Sequence, residues 1–120
     1  MESYECKILS IITYYQTEED GDEILIKLKK KKIWPVDEKY VEVKGSKPVK
    51  VNHSIALKKL GEQLQLELWE YDNFLSSKCI GTFTFTPTEA GGPFTTDLKM
   101  TSDEFAKYTL EWEVNRKKTK

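Results

Sequence analysis

The stretch WEYDNFLSSKCIG, residues 69–81, combines acidic, apolar and basic side chains within one short segment. Glu70 and Asp72 form an acidic turn after strand-like residues. An apolar Phe-Leu pair follows, where a turn is normally polar, and Lys78 then adds a positive charge. Carboxylates at a turn suit a hard cation, whereas an apolar pair at a loop tip suits an apolar surface. The chemistry of the segment therefore depends on the elements that position it.

The run from Lys27 to Lys32 forms a second charged cluster, and we predict that it continues a strand that starts near Ile24. The predicted basic patch consists of Lys27, Lys29, Lys30, Lys31 and Lys32, and it is extended by Lys44, Lys47 and Lys50. Each basic residue near an anionic leaflet contributes about 1 kcal/mol to binding, which suits such a patch to a membrane surface. The alternative is an edge strand that its lysines protect from pairing with other strands.

Composition limits the classes of function. The chain has 120 residues, of which 32% are charged, and a formal net charge of -1. This balance, with aromatic residues that do not interleave with the lysines, argues against a nucleic-acid partner. The only histidine, His53, accompanies no nucleophile motif, and no Cys or His spacing fits zinc. We therefore predict no catalytic residue and no enzyme activity.

The sequence shows no secretory signal and no apolar run near the roughly 20 residues that a membrane-spanning helix needs. We therefore expect a cytoplasmic protein whose association with membranes, if any, is peripheral. Cys6 and Cys79 lie in apolar, strand-like contexts, which favours free thiols in a reducing compartment. A disulfide between them is the alternative.

Alternation of apolar and polar residues predicts strands, because successive side chains of a strand point to opposite faces. It is clearest in four segments, 24–28, 64–68, 83–85 and 108–114, and weaker at 4–15, 39–44 and 49–51. Helical signals are limited to a short turn at 55–60 and a capping-box spacing at 101–104. Short strands with Gly and Pro turns indicate an all-β chain, a single antiparallel β-sandwich of about eight strands. We expect one domain over residues 1–120, with a charged tail from about residue 116.

Residues 66–83 read Leu-Glu-Leu-Trp, Glu70-Tyr-Asp72, a short loop and then Lys78-Cys-Ile-Gly81-Thr-Phe. This motif resembles that of the C2 domain, the calcium- and phospholipid-binding β-sandwich of protein kinases C and synaptotagmins. Residues 21–28, an acidic turn that leads into Ile-Leu-Ile-Lys-Leu, give a weaker resemblance upstream. The resemblance implies a C2-like fold and a non-catalytic binding module.

The C2 resemblance implies calcium ligands on two loops. They would be Asp20 and Asp22 in the earlier loop, and Glu70 and Asp72 in the later one. Lys78 stands where the C2 pattern has another acid, and it could replace calcium by pairing with Glu70 or Asp72. Calcium is therefore the only cofactor implied, and we expect calcium dependence to be weak or absent.

The resemblance also implies that Phe74 and Leu75 form a membrane-insertion loop, because this loop tip enters the membrane interface in C2 domains. The alternative is that the pair folds back and caps the end of the core. We therefore predict a module that docks to anionic phospholipid membranes through this tip and the lysine-rich strand. A calcium-independent protein-interaction or structural module of a larger assembly, which binds a protein partner, is the second hypothesis.

Overall fold

The computed structural model describes residues 2–15, 21–72, 77–101 and 106–118. Its strands, in chain order, are β1 (Glu2–Tyr15), β2 (Asp22–Leu28), β3 (Lys31–Trp34), β4 (Val41–Val43), β5 (Val49–Leu57), β6 (Leu64–Glu70), β7 (Lys78–Phe85), β8 (Gly91–Asp97), β9 (Lys99–Met100) and β10 (Lys107–Lys118). Within the described residues we find no helix long and apolar enough to cross a bilayer.

The strands form two antiparallel sheets. Sheet A has the order β5-β1-β10-β8, and sheet B has the order β3-β2-β6-β7-β9, with β4 also paired to β2. The predicted all-β, antiparallel architecture is confirmed. The number of strands exceeds the predicted eight, because the edge partner of β2 is split into β3 and β4, and because β9 is a separate strand of two residues.

The core lies between the two sheets and consists of the inward-facing positions that alternation predicts. In β2, β6 and β10 these positions are Ile24, Ile26, Leu64, Leu66, Leu68, Tyr108, Leu110, Trp112 and Val114. Trp112 of sheet A stacks on Phe85 of sheet B, with ring centroids 4.5 Å apart, and Phe94 lies 4.7 Å from the same indole. Aromatic packing of this kind adds to the burial energy that holds the sheets together.

The sandwich has two ends with different connections. The hairpin end carries the β2–β3 turn, residues 29–30, and the β5–β6 turn, residues 58–63, because Leu28 pairs with Leu66 near the start of β6. The loop end is where β2 begins at Asp22 and β6 finishes at Glu70. Since a strand rises about 3.3 Å per residue, the seven residues of β2 separate the two ends by about 20 Å.

Three predictions about elements are wrong. The lysine run is not one strand, because β2 ends at Leu28 and the chain reverses into β3. Residues 55–57 are not helical but continue β5, whose pairing with β1 reaches Leu57 opposite Tyr4 and overrides the local helical signal. Residues 116–118 belong to β10 and not to a tail, because they pair with β1. The capping-box spacing lies largely outside the described residues, and the one-domain extent stays a prediction.

Candidate functional site

A two-residue turn presents two of the predicted patch lysines. Leu28 pairs with Lys31, so that Lys29 and Lys30 alone connect β2 to β3. Their φ angles are 52° and 69°, in a region that lysine rarely adopts. Positive φ at both central positions characterises the type I′ hairpin turn, for which Asn-Gly is a preferred pair. Each lysine therefore costs on the order of 1 kcal/mol in backbone conformation relative to a residue suited to this turn.

Two other patch lysines are directed towards partners in the fold. Lys27 and Lys32 are paired across the β2–β3 ladder, where two like charges repel. The Lys27 Nζ lies 3.9 Å from the centroid of the Trp69 ring, an arrangement that forms a cation–π interaction. Lys32 Nζ donates a hydrogen bond to the carbonyl oxygen of Glu38. These contacts draw the two ammonium groups apart and stabilise the outer face of sheet B.

Lys29, Lys30 and Lys31, which we call the basic tip, are exposed. Lys29 and Lys30 line a groove of about 220 Å³ together with Gln65 and Glu67. Lys29 also borders a second groove of about 330 Å³, which Lys58 and Glu62 line as well. The predicted patch thus divides into a basic tip at the hairpin end and two lysines that contact the fold.

Lys44 and Lys47 do not extend this patch. They are exposed in the connection between β4 and β5, and Val43 at the end of β4 pairs with Asp22 at the loop end. The length of β2, about 20 Å, therefore separates the ends of the sandwich at which these two lysines and the basic tip lie.

Asp22, one of the predicted calcium ligands, is completely buried, with 0% of its surface exposed. Tyr108 of β10 donates a hydrogen bond from its hydroxyl to Asp22 Oδ2. Burial, the hydrogen bond to Asp22 and the charges of Asp22 and Glu70 raise the pKa of Tyr108 well above its ordinary value. The hydroxyl therefore stays protonated at neutral pH and remains a donor to the carboxylate.

The later acidic segment lies at the same end. Glu70 pairs directly with Lys78 across the β6–β7 ladder, so their side chains lie on one face of sheet B. Asp72 follows β6 and is exposed. This register places Lys78 next to Glu70. The sequence predicted either Glu70 or Asp72 as the partner of Lys78. Within the described part of the chain, no three His, Cys, Asp or Glu side chains are grouped to hold a metal ion. Asp20 lies outside the described residues, and the four-acid ligand set stays a prediction.

Phe74 and Leu75, the predicted insertion loop, also lie outside the described residues. The residues that flank this segment, Asp72 and Ser77, adjoin the ends of β6 and β7 at the loop end. The two halves of the predicted membrane site are therefore attached at opposite ends of sheet B, about 20 Å apart along β2. This separation follows from the turn at Lys29 and Lys30.

The remaining chemically active side chains lie in strands. His53 is half-buried in β5 opposite Ile8. Cys6 is a buried free thiol and Cys79 a half-buried one, and burial raises the pKa of Cys6 to about 12. Cys6 therefore stays a protonated thiol and is unreactive, because the thiolate is the reactive form. The absence of enzyme activity stays a prediction.

Sequence reasoning missed two residues that shape the site. Tyr108 was expected as an inward-facing strand residue, but its contact with Asp22 joins residues that are 86 positions apart, and no local pattern reports it. Lys58 was assigned to a short helical turn and was not grouped with Lys29, with which it lines one groove. The available signal was the Lys58-Lys59 pair, which directly follows the apolar residues 55–57.

Comparison with known proteins identifies the architecture. No protein-family model and no curated protein matches this sequence. Among solved structures, the chain is similar to a C2 domain of a plant extended synaptotagmin 1, with a TM-score of 0.56 and 17% sequence identity. The match covers 98% of this chain and 95% of that chain. The chain therefore has a C2-like β-sandwich fold, as its sequence motif predicts.

Proposed function

We propose that this chain is a non-catalytic, C2-like binding module that docks on anionic membrane surfaces through the basic tip, without requiring calcium. The observation that carries the proposal is the β2–β3 turn. Lys29 and Lys30 occupy positive-φ positions, although Asn-Gly would form the same turn with less strain. Strain at an exposed, charged position supports a functional role for the charge.

The magnitude of the electrostatic effect is adequate for docking. Each lysine close to an anionic leaflet contributes about 1 kcal/mol, so the three lysines of the basic tip would contribute about 3 kcal/mol. Lys58 and Lys59, at the same end of the sandwich, would add to this attraction. Binding of this kind is reversible and sensitive to salt.

Independence from calcium is supported at the loop end. The Asp22 carboxylate already accepts a hydrogen bond from Tyr108, and Glu70 pairs with Lys78 across the β6–β7 ladder. A calcium ion needs about six to eight oxygen ligands, and a lysine beside the site would repel it. Tyr108 and Lys78 therefore act as partners of two acidic side chains that would otherwise be available to bind calcium.

Co-sedimentation with vesicles tests the proposal. Vesicles of phosphatidylcholine with phosphatidylserine should bind the native chain equally in calcium and in a chelator, whereas pure phosphatidylcholine should not. Lys30→Glu/Lys31→Glu should weaken binding at least about tenfold, because two charges are reversed. Lys44→Glu/Lys47→Glu makes the same charge change at the loop end and is the matched control. Binding only in calcium, or equal binding of Lys30→Glu/Lys31→Glu, would contradict the proposal.

A second candidate function is a protein-interaction module. It is favoured by the topology, because β5 and β8 are the two edge strands of sheet A, and an edge strand can accept a strand from a partner. Failure to bind any phosphatidylserine vesicle, with or without calcium, would favour this second function. An isolated partner should then lose binding when a proline is placed within β5.

A further inference from the structure

We infer that the hairpin end as a whole faces the membrane and that the docking surface includes Lys58 and Lys59 of the β5–β6 turn. This inference rests on the proposed function and adds to it an orientation and two contact residues. It places the loop end away from the lipid surface, although the loop end carries the motif that resembles the C2 calcium loops.

The first support is the position of Lys58 relative to the basic tip. Lys58 and Lys29 line the same groove of about 330 Å³, which opens at the hairpin end between the two sheets. The apolar side chains of Leu28, Ile55 and Leu64 also line the groove. The basic tip and the β5–β6 turn therefore adjoin at this groove, which Glu62 also lines.

The second support is that the β5–β6 turn is held in place. The backbone N–H of Lys58 donates to Glu62 Oε2 at 2.9 Å, and the N–H of Gly61 donates to the carbonyl oxygen of Pro87 at 2.7 Å. Gly61 has a φ of 90°, which glycine adopts at little cost. These bonds fix the backbone that carries Lys58 and Lys59, so docking would order only their side chains.

The third support is the distribution of acids. Glu23 and Glu42 lie directly opposite each other in the β2–β4 ladder at the loop end, so two carboxylates face one side of sheet B. Asp72 is exposed at the same end. At the loop end these carboxylates stand beside the exposed Lys44 and Lys47, whereas the hairpin end groups the five exposed lysines of the basic tip and the β5–β6 turn with Glu62 and Glu89. The balance of charge therefore favours the hairpin end as the side that meets an anionic leaflet.

Neutralising variants of the full chain test the orientation on vesicles of phosphatidylcholine with phosphatidylserine, in a chelator. Lys58→Gln/Lys59→Gln should weaken binding at least about tenfold. Lys44→Gln/Lys47→Gln removes the same charge at the loop end and should change binding less than about twofold. Phe74→Ser/Leu75→Ser should leave binding unchanged. Circular dichroism and thermal unfolding establish that each variant is folded, which is expected because all the lysines replaced are exposed.

The outcomes separate the orientation from the proposed function. If Lys30→Glu/Lys31→Glu weakens binding but Lys58→Gln/Lys59→Gln does not, docking through the basic tip stands and the end-on orientation is wrong. A larger loss in Lys44→Gln/Lys47→Gln or in Phe74→Ser/Leu75→Ser would overturn the orientation in favour of the loop end. If none of the lysine variants weakens binding, both proposals fail.

Discussion

The hydroxyl of Tyr108 changes the surroundings of Asp22, the acid at which β2 begins. The carboxylate of Asp22 is fully buried, and a buried charge needs hydrogen bonds or a counter-ion to be stable. Tyr108 supplies a hydroxyl donor from the opposite sheet. In this chain the requirement is met in part by the core itself, through the Tyr108 hydroxyl.

Tyr108→Phe tests this role. The variant keeps the aromatic ring but removes the donor to Asp22, so we expect the free energy of unfolding to fall by about 1–3 kcal/mol. Urea denaturation followed by circular dichroism measures the difference. Tyr40→Phe is the control, because Tyr40 stacks on Tyr71 with centroids 5.0 Å apart and its ring is retained. A loss in Tyr108→Phe no larger than in Tyr40→Phe would show that the hydrogen bond does not stabilise the fold.

Among the elements, the strands with one apolar face were predictable from the sequence, whereas the β2–β3 hairpin was not. Alternation identifies β2, β6, β7 and β10, because each buries one face against the core. The β2–β3 turn carries no Gly, Asn or Pro, and four consecutive lysines give no sign of a reversal. The later part of β5 was missed because His53 and Ser54 interrupt its apolar pattern, whereas long-range pairing with β1 decides its structure.

The positions of the site residues were likewise predictable in part. The sequence predicted that Lys78 would pair with an acid of the later loop, and the strand register shows which acid lies next to it. Glu70 and Lys78 meet because β6 and β7 are adjacent and antiparallel, which the strand-loop-strand motif already suggests. The distance between the basic tip and the acidic segment depends on where β2 ends. No propensity within the lysine run reports that boundary.

The strained turn gives a prediction in which stability and binding change in opposite directions. Lys29→Asn/Lys30→Gly supplies the residues that a type I′ turn prefers, and we expect it to raise the free energy of unfolding by about 1–2 kcal/mol. The same change removes two charges and should weaken binding to phosphatidylserine vesicles about tenfold or more. Urea denaturation and co-sedimentation measure the two effects.

Lys29→Gln/Lys30→Gln separates charge from backbone preference. It removes the same two charges without improving the turn, so binding should fall while the unfolding free energy stays within about 0.5 kcal/mol of the native value. If Lys29→Asn/Lys30→Gly lowers stability, the turn is not strained. If it leaves vesicle binding unchanged, the lysines of the turn have no part in docking.

For the whole molecule, the arrangement of charge is more informative than its sum. The formal net charge of -1 gives no indication of attraction to an anionic surface. The molecule measures 47 × 23 × 22 Å, and strand register assigns the basic tip to one end of sheet B and the paired carboxylates of Glu23 and Glu42 to the other. At physiological salt the Debye length is about 8 Å, shorter than the separation of the ends. A membrane would therefore sense mainly the end that it meets.

The most direct test of charge-driven, calcium-independent docking is a salt titration of vesicle binding in a chelator. The bound fraction of the native chain on phosphatidylserine vesicles is measured as sodium chloride rises from about 0.05 M to about 0.5 M, a range in which the Debye length falls severalfold. We predict that binding decreases steadily over this range and that added calcium does not restore it. Binding that persists at high salt, or that appears only with calcium, would contradict the account.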